Sequence, residues 1–175
     1  MCIRDRLCER IAFTLLEYQN AVSALKPSRG YVQLFADLCK KSLAEMVRCS
    51  RDCGYHLYDW HFGNLAFSDA INAKVILIHW QENGPARSDT KLKVRMKQPV
   101  EAFVKGFTRY CNAGISGTWV SYFRSLESVI ASWWRSLHSL PSDEDVKWVF
   151  AELDSAAASC IDILPSSTTL SLIHI

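Results

Sequence analysis

Two stretches of the chain carry apolar residues at helical spacing over so wide an arc that neither can stand alone in water. Between Tyr31 and about Asp52, the residues Phe35, Leu38, Cys39, Leu43, Met46 and Val47 share one face, with Lys40, Lys41, Glu45 and Arg48 opposite. Between Ser121 and Leu137 the apolar face is wider still, built from Tyr122, Phe123, Leu126, Val129, Ile130, Trp133, Trp134 and Leu137. Such stripes are satisfied only by packing against a second layer. The two helices are therefore expected to form one core, and the Trp133-Trp134 pair reads as part of it rather than as a ligand platform.

The remaining segments read as shorter elements around that pair. Leu7 to Leu25, with Leu7, Ile11, Leu15 and Tyr18 at 3.6-residue spacing, predicts a further helix that stops before the turn cluster Lys26-Pro27-Ser28-Arg29-Gly30. Gly54 suits the C-terminal cap of the second helix. Leu65-Ala66-Phe67 and Lys74 to Ile78 predict two strands of a hairpin, joined by a turn over Ser68 to Ala73 in which Asp69 and Asn72 supply turn chemistry. Gly84-Pro85 reads as a turn, Pro99 to Tyr110 as a helix, and Asn112 to Gly117 as a loop. Pro141-Ser142-Asp143-Glu144-Asp145 opens a last helix running to about Ala158, with Ser142 as its cap and the acids at the positive end of its dipole. The expected class is mainly α, with a small β element (α+β).

The ends differ in kind from the interior. Met1-Cys2-Ile3-Arg4-Asp5 is what ATG TGT ATA AGA GAC encodes, and Leu170-Ser171-Leu172-Ile173-His174-Ile175 is what CTG TCT CTT ATA CAC ATC encodes. These resemble the two orientations of a transposon end used in tagmentation sequencing libraries. Residues 1–6 and 170–175 are accordingly expected to be adapter-derived, Arg6 sharing its codon with the insert, and 7–169 to be an interior fragment whose targeting signals lie elsewhere. With Arg4, Asp5 and Arg6 set aside, the 20 basic and 18 acidic residues fall to 18 and 17, a near balance that gives no electrostatic footprint for nucleic acid. No apolar run approaches the roughly 18 residues a membrane span needs. Of the seven cysteines, Cys2 belongs to the first pentapeptide; Cys8, Cys39, Cys49, Cys53, Cys111 and Cys160 are scattered through apolar or helical stretches. That usage predicts reduced thiols packed as small hydrophobes in an intracellular, cytoplasmic protein. Cys49 and Cys53 lie one helical turn apart, but no further zinc ligands follow at short spacing, so core packing is expected there.

One run spells chemistry rather than packing: Tyr58-Asp59-Trp60-His61-Phe62-Gly63-Asn64, between the Tyr31 helix and the Val75-Ile76-Leu77-Ile78 strand. From about Tyr31 to Gly84 the order of helix, glycine, loop with Asp-x4-Asn, hairpin and strand resembles the C-terminal lobe of the kinase-like fold. Asp59, His61, Gly63 and Asn64 are similar to the Asp-x-His-x-Gly-Asn pattern of the aminoglycoside and choline phosphotransferase branch. The resemblance implies ATP as phosphoryl donor, Mg2+ as cofactor and a small hydroxylated molecule as acceptor. Asp59 would be the catalytic base, Asn64 a magnesium ligand, and His61 a hydrogen-bonding support of the loop. Such chemistry needs a positioned base and metal ions that neutralise charge on the transferred group.

The sequence departs from that pattern in three places. Leu57 stands where the family has His or a similar residue two positions before the Asp, and His56 is displaced by one. His79 occupies the position at which the resemblance expects the principal metal-binding Asp. Neutral imidazole is a poor partner for a cation that prefers hard oxygen donors. Three readings stand open: lost catalysis, substitution by Glu82, or a single-base change of an Asp codon. No Gly-rich loop or strand Lys precedes Tyr31, so the nucleotide-binding lobe is expected to lie outside this sequence, leaving it inactive by itself. Arg87, Lys91, Lys93, Arg95 and Lys97 form a basic stretch expected as a solvated loop and helix start. The alternatives to an enzyme are a silent kinase-like binding or scaffold module and an unrelated helical domain.

Overall fold

The computed structural model describes residues 11–57, 59–69, 74–78, 84–85, 92–109 and 115–165. The terminal segments expected to be adapter-derived lie outside these residues, as do Tyr58, His79, Glu82 and most of the basic stretch from Arg87. In chain order the elements are β1 (Phe13–Thr14), α1 (Leu15–Ser23), α2 (Arg29–Val47), β2 (Tyr55–His56), β3 (Leu65–Phe67), β4 (Val75–Leu77), β5 (Gly84–Pro85), α3 (Leu92–Arg109), α4 (Gly117–Ser136) and α5 (Asp143–Asp162). The protein is mainly α with a small antiparallel sheet, as its periodicity predicts. No described helix is long and apolar enough to cross a membrane.

The first helix begins later than its stripe suggests. Thr14 is extended and caps α1, accepting from the Glu17 amide at 3.1 Å while the Glu17 carboxylate accepts from the Thr14 amide at 2.7 Å. This reciprocal capping box stops the helix from propagating toward Leu7. Phe13 and Thr14 instead pair with Phe67 and Ala66, which makes the expected hairpin the centre of a three-stranded sheet ordered β1-β3-β4. Leu15 and Tyr18 are buried as the stripe requires, but Ile11 lies exposed.

α2 buries Phe35, Leu38, Cys39, Leu43, Met46 and Val47, every residue assigned to its apolar face. Its last turn widens into a π-helical turn over Arg48–Asp52, ended by Gly54 at φ 66°, a left-handed cap that glycine adopts without a Cβ clash. The wider turn carries Arg51 outward to the start of α5, where its guanidinium donates to Pro141 O at 3.2 Å and to Asp143 at 2.7 Å. Gly84-Pro85 is not simply a turn, since the pair forms the antiparallel partner of Tyr55–His56.

The C-terminal helices run longer than the sequence suggests. α3 starts at Leu92 and carries Pro99 inside it, although proline removes a helical hydrogen bond. Burial of Met96, Val100, Phe103 and Phe107 on one face outweighs that loss. α4 starts at Gly117, four residues before the expected Ser121, because Ser116 accepts from the Trp119 amide at 3.3 Å. Trp119 thereby joins the core, its indole donating to Leu25 O at 2.9 Å. Tyr122 ties α4 to α2 through Val32 O at 2.8 Å, and Phe35 meets Phe123 with ring centroids 5.1 Å apart. α5 packs against both α2 and α4, and Lys40, expected on the outer face, reaches Asp154 on α5 at 2.6 Å.

Two outcomes follow from these contacts. The Ser142 hydroxyl and Asp145 form a second capping box at the start of α5, with the Asp145 oxygen accepting from Ser142 at 2.6 Å and 2.8 Å. Hydrogen bonding to the Ser142 side chain, then to its backbone, holds the Asp145 carboxyl below the ordinary range. Its contribution is present above the unfolded carboxyl value and is lost as pH falls through the folded one. Ser142→Ala should cost about 1 kcal/mol near neutrality and less in acid, read by denaturant unfolding at about pH 7 and about pH 2.5; an equal cost at both would contradict the assignment. Gly106 sits where a Cβ would lie 2.5 Å from Phe62 Cδ1. Gly106→Ala should therefore destabilise by about 1–3 kcal/mol despite its better helix propensity. Thermal unfolding checks this, and an unchanged or raised Tm would show that the ring yields freely.

Candidate functional site

The segment from Leu57 to Asn64 alternates between core and surface. Leu57, Trp60, Phe62 and Asn64 are buried, while Asp59, His61 and Gly63 are half-exposed between them. The apolar members are the anchors. Phe62 enters an aromatic cluster, with ring centroids 5.0 Å from Phe107, 5.1 Å from Phe103 and 6.4 Å from Phe35. Its carbonyl accepts from the Leu16 amide at 3.1 Å, and a turn from His61 O to the Asn64 amide at 2.9 Å closes the loop. Asp59 and Asn64 are thus held by a loop on either side of a buried ring, not by a continuous helix.

The polar side chains converge on Asp59. Asn64 donates through Nδ2 to Asp59 Oδ2 at 2.7 Å and to the Asp59 carbonyl at 3.2 Å. On the other carboxylate oxygen, His61 Nε2 lies 3.3 Å from Oδ1. The Gly63 amide donates to His61 Nδ1 at 3.1 Å. That nitrogen must therefore be an acceptor, which leaves the neutral imidazole proton on Nε2, facing Asp59. A Cβ on Gly63 would come within 3.1 Å of the same ring, so glycine here lets His61 fold back over its own turn. Among the described residues the buried Trp60 indole N–H has no hydrogen-bond partner.

The end of the hairpin is fastened to the same loop. Ile78 donates its amide to Asn64 O at 3.0 Å, and Leu77 pairs with Leu65. Of the sequence-predicted site residues, the structure brings together Asp59, His61 and Asn64; His79 and Glu82 lie outside the described residues. The roles of Phe62, Gly63 and Leu16 as supports of the loop were not visible in the motif itself, although an aromatic and a glycine inside a polar run were a signal that part of it is buried. Among the described residues no three of His, Cys, Asp and Glu cluster closely enough to hold a metal ion. The oxygen donors here are the Asp59 carboxylate and the Asn64 amide. They suit a hard cation that keeps most of its shell as water and phosphate.

The cysteine pair preceding this loop departs from simple core packing. Cys49 is buried and Cys53 is exposed. Arg48 donates to both sulfurs, at 3.7 Å and 3.2 Å, and doubly to Glu45 at 2.6 Å and 2.8 Å. Burial, then the Glu45 carboxylate, pushes the Cys49 thiol up to about 12, so it is inert as a nucleophile near neutrality.

No family model matches this chain, and neither does any curated protein or solved structure.

The loop geometry fixes one spectroscopic outcome. In a long-range proton–nitrogen spectrum the neutral imidazole of His61 should populate the tautomer protonated at Nε2, and Asp59→Ala should release that preference. A dominant Nδ1–H tautomer in the native chain would contradict the Gly63 hydrogen bond.

Proposed function

We propose that the chain carries the catalytic-loop region of a kinase-like phosphotransferase domain, transferring phosphate from ATP to a small-molecule hydroxyl. In this reading Asp59 accepts the proton of the attacking hydroxyl and Asn64 is an oxygen ligand of magnesium. The observation that supports it is the direction of the Asn64 amide. With its NH2 group spent on the Asp59 carboxylate and carbonyl, the amide oxygen is the atom left for a hard cation. One buried side chain would then couple base and metal.

The residues divide the work as the distances suggest. Asp59 Oδ2 accepts a hydrogen bond from Asn64 while His61 Nε2 lies 3.3 Å from Oδ1, and the carboxylate retains lone pairs for a substrate proton. Holding that carboxylate from two sides removes rotational freedom before substrate arrives, which is where positioning lowers a barrier. Bound magnesium would supply neutralisation of charge on the transferred group.

A second reading, a catalytically silent kinase-like binding module, is favoured by His79. The resemblance expects a carboxylate there, and the surrogate Glu82 lies three positions further on. The two readings part on one measurement. Magnesium-dependent ATP binding is compared by calorimetry for the His79 and His79→Asp forms of the full-length protein, in which the nucleotide-binding lobe is expected. If this is a phosphotransferase scaffold lacking one ligand, restoring the carboxylate should tighten binding about tenfold or more, a gain of about 1.4 kcal/mol, and Asn64→Ala should abolish that gain. Equal binding in both forms would sink the enzyme reading and leave the silent module.

A further inference from the structure

The widened turn at the end of α2 carries two cysteines that take no part in the Asp59 loop. Cys49 lies buried within the turn, and Cys53, the residue after it, is exposed. We propose that Cys49 and Cys53 form an oxidisable dithiol, a modification site at which a hydroperoxide converts two free thiols into a reversible disulfide.

Arg48 holds the two sulfurs together. One terminal nitrogen of its guanidinium donates to Cys53 Sγ at 3.2 Å and the other to Cys49 Sγ at 3.7 Å. The guanidinium is planar and rigid, so both sulfurs sit against one small fork. The fork is itself fixed by a double hydrogen bond to Glu45 at 2.6 Å and 2.8 Å. Cys39 and Cys160, the other cysteines among the described residues, are buried and share no such partner.

The backbone can bring them into bonding distance. Residues four apart on a helical turn have Cβ atoms about 5–6 Å apart, and a disulfide needs about 3.5–4.5 Å. Cys53 stands at the C-terminal cap, at φ −98° and ψ −10°, with its amide on Arg48 O at 3.1 Å. Gly54 follows at φ 66°, and a residue without a Cβ turns there most freely. One end of the bridge therefore lies at the end of a helix, where the chain has room to adjust, rather than inside it.

Exposure and burial divide the chemistry into two steps. Peroxide oxidises an accessible thiolate; Cys53 is accessible, and the Arg48 donor faces the sulfur that carries the charge. That sulfur attacks one oxygen of hydrogen peroxide, so the O–O bond breaks, an S–O bond forms, and the first water leaves a sulfenic acid behind. Cys49 then attacks the Cys53 sulfur. The S–S bond forms and the S–O bond breaks, while the Cys49 proton passes by way of Glu45 Oε1, which already accepts from that thiol at 3.5 Å, to the departing hydroxide, the second water. Two thiols lose two hydrogens and the peroxide is reduced. The raised thiol keeps Cys49 out of the first step, and its fixed place beside the sulfenic sulfur makes it competent in the second. Closure draws in the turn from which Arg51 reaches Asp143 on α5 and from which Gly54 leads to β2. The state of two thiols is thereby joined to the backbone that enters the Asp59 loop.

The test uses the whole chain, reduced, treated with hydrogen peroxide at about pH 8, near the ordinary thiol value, and digested with trypsin without reductant. Cleavage after Arg48, Arg51 and Lys74 separates the two cysteines. Mass spectrometry should then find residues 49–51 linked to residues 52–74, lighter by the two lost hydrogens and split by dithiothreitol. Cys53→Ser should abolish the linked species, and Cys49→Ser should stop at a Cys53 sulfenic acid that dimedone traps, with unchanged circular dichroism as the check that both variants fold. Arg48→Met should slow bridging about tenfold or more, as expected for losing one charge-assisted contact. The native chain supplies a comparison that needs no variant: bridging should be faster in the folded chain than in urea, where the fork is lost. No linked peptide in the native chain, bridging no faster folded than unfolded, a native rate in Arg48→Met, or Cys53 pairing with another cysteine in preference to Cys49 would each overturn the proposal.

Discussion

The Phe62 ring is the contact on which the rest of the loop depends. It occupies a slot bounded by Phe35, Phe103 and Phe107, and the missing side chain of Gly106 makes the slot deep enough. Its backbone carbonyl simultaneously takes the Leu16 amide, an early α1 donor with no partner inside its own helix. One residue therefore ties the loop to α1, α2 and α3. Because Phe62 lies inside the turn closed by His61 O and the Asn64 amide, fixing its ring also fixes that turn, on which His61 and Gly63 stay half-exposed. The polar geometry around Asp59 is a consequence of apolar packing one residue away.

What the sequence revealed follows the range over which each force acts. The apolar faces of α2 and α4, the β3–β4 hairpin, the Gly54 cap and the Ser142 cap are written in local periodicity or in single cap residues, and each stands where that pattern put it. The β1 strand was illegible for the opposite reason. Phe13 and Thr14 are extended because Phe67 and Ala66, more than fifty positions away, offer backbone partners. The Thr14 to Glu17 capping box was a usable local sign that a helix starts there, yet the 3.6-residue stripe through Leu7 and Ile11 ran across it. The Gly84-Pro85 pairing with Tyr55–His56 is likewise nonlocal. Pro99 misled in the reverse sense, since a strong local breaker yielded to four buried side chains on α3.

At the site, residue identity was legible and residue direction was not. Asp-x4-Asn names a base and an amide, but nothing in the spacing says that the amide turns its nitrogen to the acid, or that His61 closes on the other oxygen through a hydrogen bond from Gly63. Those directions come from a turn of three residues packed on an aromatic floor. The same limit applies to Lys41. Its charge was read as part of a solvated face, and the pairing of Asp37 with Lys40 and of Glu45 with Arg48 commits both carboxylates one helical turn from it to other partners.

The Asp59–Asn64 hydrogen bonds serve an active loop and a silent one equally well. A neutral amide bonded to a carboxylate in a half-buried setting is stable without any cation, because the charge-assisted bond itself offsets the desolvation of the acid. Loss of metal binding elsewhere would leave this arrangement intact, and selection for a folded core would preserve it through Phe62. The difference between enzyme and scaffold therefore does not reside in the loop. It resides in whether a second hard oxygen joins the Asn64 amide from the chain beyond Ile78, where the next side chain, His79, is an imidazole and supplies none.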